Sequence, residues 1–157
     1  MGYIDPMKVT DILRVKGNTL YTVSPDETLW RAMQTMSEFD IGSLVVMEHG
    51  DLVGMLTFRE VINAVVANDG SVGTRHVRSV MDDAPLTCTP ETDINEVRRM
   101  MLLRHARYMP VLDSRRLMGV ISFYDVAKTV VDAQDFENRM LKAYIKDWPA
   151  EDGRASA

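Results

Sequence analysis

At 157 residues, with 46% apolar and 26% charged side chains, the chain is long enough for one domain with a real core and has the composition of an ordinary globular protein. Its net charge of −5 argues against wholesale binding to nucleic acid or an anionic membrane, and no apolar run approaches the roughly 18 residues that a membrane span needs. Met7 to Leu13 reads as a short lead-in helix and Lys16-Gly17-Asn18 as a turn. Thr19 to Val23, branched and aromatic, is expected to be a strand. In Ser24-Pro25-Asp26-Glu27, Ser24 is the expected helix cap, with proline in the first position and Glu27 closing a capping box. Leu29, Ala32, Met33 and Met36 follow at helical spacing. Ile41 to Met47 then reads as a buried strand, His49-Gly50-Asp51 as a turn, and Leu52 to Phe58 as the next strand. Thr57 caps a helix that carries Val61, Ile62, Val65 and Val66 and ends at Asn68-Asp69-Gly70-Ser71.

The order then repeats. Val77 to Met81 is similar to Val9 to Leu13, and Thr89-Pro90-Glu91 to Ser24-Pro25-Asp26. Ile94, Val97 and Met101 make the helical stripe. Tyr108 to Leu112 and Leu117 to Phe123 are the strands, joined by a turn at Asp113-Ser114-Arg115-Arg116. Pro25 and Pro90, Gly54 and Gly119, Glu60 and Asp125 all lie 65 positions apart, so one unit has been used twice. Each unit runs strand, helix, strand, strand, helix. At roughly 55 to 60 residues it is marginal alone, so the expected fold is α+β, two repeats packed as one pseudo-twofold module. The expected partition is 1–70 for the lead-in and first repeat, 71–131 for the second, 132–148 for an extra C-terminal helix with a plausible break at Ala133-Gln134-Asp135, and 149–157 for a disordered tail.

The chemistry centres on Gly119-Val120-Ile121-Ser122-Phe123-Tyr124-Asp125 and its copy, Gly54-Met55-Leu56-Thr57-Phe58-Arg59-Glu60. Each stretch is a strand entering a helix. Each places a hydroxyl, free backbone N–H groups and a carboxylate within one helical turn.

Tandem units of this order, each ending a Gly-apolar strand in Ser/Thr-x-x-Asp/Glu, resemble a pair of cystathionine-β-synthase (CBS) domains, a Bateman module, over about Val9 to Val130. The C-terminal helix resembles that of small stand-alone bacterial proteins of this type. The resemblance implies a regulatory sensor that binds AMP, ADP, ATP, NAD(H) or S-adenosylmethionine between the repeats, and that dimerises as a flat disc. It implies two clefts. The first would use Ser122, Tyr124 and Asp125, walled by Leu20, Tyr21, Ile41 and Gly42; the second would use Thr57 and Glu60, walled by Pro85, Leu86, Arg107, Tyr108 and Pro110. Arg107 stands where the family often has a basic residue near the phosphates. The first repeat departs from the pattern at Val45, where the second has Pro110, and at Glu60, where the family usually has aspartate.

These residue types suit that ligand. One carboxylate can accept from both hydroxyls of a ribose, a helix N-terminus suits phosphate, and apolar walls suit adenine. The same Ser/Thr-x-x-Asp/Glu is also an ordinary capping box. Glutamate, the longer acid, is the better box residue, so Glu60 reads as structural and Asp125 as freer to face a ligand. Tyr21 and Tyr108 suit a core as well as a cofactor wall, and Arg107 could be a solvated arginine. Trp30 lies beside its helix's apolar stripe and suggests an interface.

Catalysis finds no pattern here. Ser122 lacks a G-x-S-x-G elbow, and the glycines form neither a P-loop nor G-x-G-x-x-G. Cys88 is the sole cysteine, which excludes an internal disulfide and a cysteine-built zinc site. His49, His76 and His105 fit no metal-ligand spacing, so no metal and no required cofactor are expected. Met1 to Met7 has no basic cluster, so no signal peptide is expected and a cytoplasmic location is the simplest reading. The expectation is a non-enzymatic, homodimeric sensor of an adenine nucleotide or NAD acting on an unknown regulated protein. The alternative is an interaction module indifferent to ligand.

Overall fold

The computed structural model describes residues 7–17 and 19–147, so expectations for 1–6, for Asn18 and for Trp148 and the tail lie outside the described residues. The first repeat comprises β1 (Thr22–Val23), α2 (Leu29–Phe39), β2 (Ser43–Glu48), β3 (Asp51–Thr57) and α3 (Phe58–Ala67), preceded by α1 (Val9–Lys16). The second comprises a 3-10 turn (Val77–Ser79), α4 (Ile94–Arg104), β4 (Tyr108–Asp113), β5 (Arg116–Ser122) and α5 (Phe123–Asp147). In the first sheet β1 pairs parallel to β2 and β2 antiparallel to β3. In the second, β4 pairs antiparallel to β5. The duplication extends to defects: the β2–β3 register slips between Val46 and Met47, and the β4–β5 register between Val111 and Leu112.

The opening strand of the second repeat shrinks to one residue. Cys88 donates to the Pro110 carbonyl at 3.1 Å and accepts from the Leu112 amide at 2.8 Å. The chain then leaves the sheet, because the Thr89 amide turns to Thr92 Oγ1 at 3.0 Å.

Both leading helices start later than Ser24 and Thr89 suggest. Thr28 caps α2, its hydroxyl accepting from the Arg31 amide at 3.1 Å, and Asp93 caps α4, accepting from Asn95 at 2.7 Å. The Pro-containing segments before them have other work. The carbonyls of Pro25 and Glu27 accept from the amides of Arg78 and Val77, and those of Pro90 and Thr92 from Thr10 and Val9.

Those bonds show that the lead-ins are exchanged. Val77 packs with Leu29, Met36, Leu44, Val46 and Leu56, whereas Val9 and Ile12 pack with Ile94, Val97, Met101, Met109 and Ile121. Neither repeat closes its core without a segment from beside the other, which is why two marginal units form one module.

α5 runs unbroken through Ala133-Gln134-Asp135. No glycine or proline interrupts that stretch, and alanine and glutamine favour a helix. No helix among the described residues is long and apolar enough to cross a membrane.

The paired glycines of β3 and β5 differ in what faces them. A Cβ on Gly54 would sit 2.7 Å from the Asp82 carbonyl oxygen, and that backbone is held by a two-bond bridge to Met55. A Cβ on Gly119 would meet the tip of Leu13 at 2.8 Å. Backbone cannot give way as a leucine methyl can. Gly54→Ala is therefore expected to cost about 1–3 kcal/mol in a urea melt, and Gly119→Ala less than about 1 kcal/mol.

Candidate functional site

Two grooves open between the repeats. The second cleft expected from sequence is a groove of about 440 Å³ lined by Thr57 and Glu60 on one side and by Pro85, Leu86, Arg107 and Tyr108 on the other. Thr57 ends β3 and caps α3. Glu60 Oε1 accepts from the Thr57 amide at 2.8 Å and from its hydroxyl at 2.6 Å, so the capping box is closed, as the longer acid led us to expect. The loop before β4 delivers Ala106, Arg107 and Tyr108 to the facing wall, and Phe58 adds an aromatic surface. Arg59 and Arg104 join Arg107 around the same groove. Arg59 donates to the His105 carbonyl. Neither Arg104 nor Arg107 has a carboxylate within ion-pair distance among the described residues. Three guanidinium groups around a half-apolar groove suit a ligand with an aromatic body and an anionic end. Pro110 is not among the lining residues. It lies buried in β4, on the face opposite to the core residues Met109 and Val111, with its carbonyl held by the Cys88 amide.

The first groove, about 340 Å³, is lined by Leu20, Tyr21, Ile41 and Gly42 as expected, together with Tyr108, Gly119, Val120 and Lys16. Tyr21 also packs on Phe39, with ring centroids 5.0 Å apart. Tyr108 lines both grooves and takes the space over residue 42, where a Cβ would come within 2.1 Å of its hydroxyl. Glycine at 42 is what allows one tyrosine to stand between the two sites.

Ser122 and Asp125 are not among the residues that line this groove. Asp125 Oδ2 accepts from the Ser122 amide at 2.8 Å, and Ser122 Oγ accepts from the Asp125 amide at 3.0 Å. The expectation that the shorter acid would stay freer than Glu60 is overturned: an aspartate three residues past the cap also reaches back, and both boxes are closed. Lys16 completes the arrangement. Its ammonium donates to Asp125 Oδ2 at 2.8 Å and to the Val120 carbonyl at 3.0 Å. Burial works to raise the Asp125 pKa, but the hydrogen bonds from Lys16 and Ser122 outweigh it and hold the carboxyl below its ordinary value. The Asp125 side chain is 17% exposed. On its far side it faces a third groove, between α1 and α5, with Asp11, Lys128 and Asp132. Tyr124 is 71% exposed on α5 and lines none of these three grooves. Phe123 and Val126 on either side pack on the second core and Tyr124 does not, so sequence adjacency to Asp125 did not bring it to these grooves.

Lys16, Arg59 and Arg104 are the site residues that the sequence did not disclose. Lys16 ends α1, where it read as part of a turn. In sequence Arg59 is only a member of the repeated strand–helix stretch, and Arg104 is one of several arginines that give the second repeat a basic bias, suited to ligand phosphates or to a charged face. Only the exchange of lead-ins and the facing of the repeats bring them in. Cys88 is no nucleophile: burial pushes its thiol up to about 12, so it stays protonated.

The CBS domain model matches residues 9–67 and 77–132. A curated relative, the CBS domain-containing protein YhcV of Bacillus subtilis, is 30% identical over 106 residues, which is 68% of this chain and 75% of that protein. Among solved structures, the CBS domain pair of protein MJ0100, in complex with 5′-methylthioadenosine and S-adenosyl-L-methionine, superposes with a TM-score of 0.71 at 22% identity, covering 82% of this chain and 98% of that one. CBSX2 in complex with AMP superposes with a TM-score of 0.67 at 19% identity, covering 80% and 97%. With the family model spanning both halves of the duplication and the same fold in both structures, the chain belongs to the CBS-domain family and carries two CBS domains in tandem.

Proposed function

We propose that this CBS pair is a regulatory sensor that binds an adenine nucleotide, AMP, ADP, ATP or NAD(H), between its repeats and reports it to a partner protein. The observation that carries this reading is the second groove. It joins Thr57 and Glu60 of one repeat to Pro85, Leu86, Arg107 and Tyr108 of the other, and adds two further arginines, Arg59 and Arg104. Apolar walls suit the adenine and guanidinium groups suit phosphate oxygens. Two members of the fold, MJ0100 and CBSX2, are described in complex with adenosine compounds. The chain acts as a homodimer in the cytoplasm in this reading, with no chemistry of its own. Support for the dimer comes from apolar side chains left exposed among the described residues: Trp30 on α2, and Phe58, Ile62 and Val66 on α3.

Calorimetric titration with AMP, ATP and NAD tests it. Micromolar binding, about −8 kcal/mol, is expected for at least one. A hundredfold excess over Kd would then add about 2.7 kcal/mol of stability, visible as a raised melting temperature. Arg107→Glu should weaken the best ligand by at least about tenfold. No heat and no melting shift at millimolar ligand would overturn the proposal. They would favour the second reading, a ligand-independent interaction module, whose support is that both capping boxes are satisfied within the chain.

A further inference from the structure

Among the described residues Lys16 is the only charged one on the wall of the first groove, and it also lines the neighbouring groove between α1 and α5. Its ammonium bridges the two, bound to Asp125 Oδ2 and to the Val120 carbonyl. In the second groove the residue standing in the place of Leu13 is Met81, packed on Gly54 as Leu13 packs on Gly119, and among the described residues no lysine lines it: its charges are Arg59, Arg104, Arg107, Glu60 and Asp82. A ribose that takes both oxygens of Asp125 through its vicinal hydroxyls competes with this ammonium for Oδ2. The displaced group finds no other acid on the groove wall. The acids across in the α1–α5 groove are already engaged, Asp11 with Arg14 and the Lys8 amide and Asp132 with Lys128. An anion brought by the ligand would restore a close partner on the groove itself.

We infer that Lys16 sets the charge of the ligand admitted to the first groove: it yields Asp125 to the ribose and passes to the ligand's phosphate, so that anionic adenine nucleotides are taken in preference to neutral adenosine compounds. This rests on the nucleotide-binding reading above and adds which ligands the first groove accepts and which residue decides. Because Lys16 closes α1, whose Val9 and Ile12 lie in the second repeat's core, its movement also gives the ligand a handle on the packing of the two halves.

The test compares AMP with neutral 5′-methylthioadenosine by calorimetry on the full chain. Lys16→Met is expected to weaken AMP by about tenfold and to strengthen 5′-methylthioadenosine by about threefold or more, since the neutral ligand no longer has an ammonium to displace. Lys16→Arg, which keeps the charge, should keep the preference for AMP. In an Asp125→Asn background the gain for 5′-methylthioadenosine should disappear. A wild-type chain that binds neither these compounds nor ATP and NAD overturns the nucleotide reading and this inference with it; one that binds ATP or NAD but neither of these two overturns this inference alone. A wild-type chain that binds them, with the ratio of affinities unchanged in Lys16→Met or the gain surviving Asp125→Asn, overturns the role of Lys16 alone.

Discussion

Val77→Asp should abolish cooperative folding of the first repeat, and Val9→Asp that of the second, each in the half opposite to the one its sequence position suggests. Both valines are fully buried, and among the described residues no polar side chain is buried in either core. A carboxylate there has no partner and costs several kcal/mol, comparable with the 5–15 kcal/mol that holds a domain folded. The position decides which half fails. Val77 is packed among Leu29, Met36, Leu44 and Leu56, and Val9 among Ile94, Val97, Met101 and Met109. Amide exchange read residue by residue separates the cases: Val77→Asp should strip protection first from β2 and β3, and Val9→Asp first from β4 and β5. Because each half buries its apolar face only with the other's help, the whole chain should then lose its single melting transition. Milder truncation, Val77→Ala, should cost about 1.5–3 kcal/mol and keep the transition. If Val77→Asp leaves β2 and β3 protected while β4 and β5 open, the exchanged arrangement is wrong.

Much of the fold is legible in the sequence because duplication writes each signal twice. A stripe such as Leu29-Ala32-Met36 is suggestive alone, and its counterpart Ile94-Val97-Met101 makes it secure; all six side chains are buried. The Gly-apolar strands and the hydroxyl that opens the following helix come through for the same reason. Less legible is whatever depends on backbone carbonyls finding distant amides. Ser24 and Pro25 look like a helix start because local chemistry permits one, but the carbonyls around them are taken by the lead-in of the other repeat, and the helix begins at Leu29. The candidate site divides along the same line. Its walls, Leu20, Tyr21, Ile41, Gly42, Pro85, Leu86, Arg107 and Tyr108, follow from the repeat and from the family that it resembles. Lys16 does not, because no spacing rule connects a residue at the end of α1 to a carboxylate on α5.

Asp125→Ala and Asp125→Asn together decide whether this carboxylate is a cap, a ligand contact or both. Alanine removes the acceptor for the Ser122 amide and for Lys16, at a cost of about 0.5–2 kcal/mol of stability. Asparagine keeps an oxygen for that amide and loses the charge, so its cost should be smaller. The two effects part company in binding. If the ribose is held here, alanine should weaken the nucleotide by about 30- to 1000-fold and asparagine by about tenfold, far beyond what their small stability changes imply. Binding unchanged in both, with only the alanine variant melting lower, would leave Asp125 a cap. Acid titration adds an independent check. Because the carboxyl is held below its ordinary value of 3.8 in the folded chain, it stays ionised where the unfolded chain would bind a proton. Its contribution is therefore fully present above that value and is lost as pH falls through the lower, folded one. The stability gap between the wild type and Asp125→Asn should be constant at neutral pH and close below about pH 4. Lys16→Met should shrink the same gap at neutral pH, because the ammonium is what makes the charge on Asp125 worth keeping.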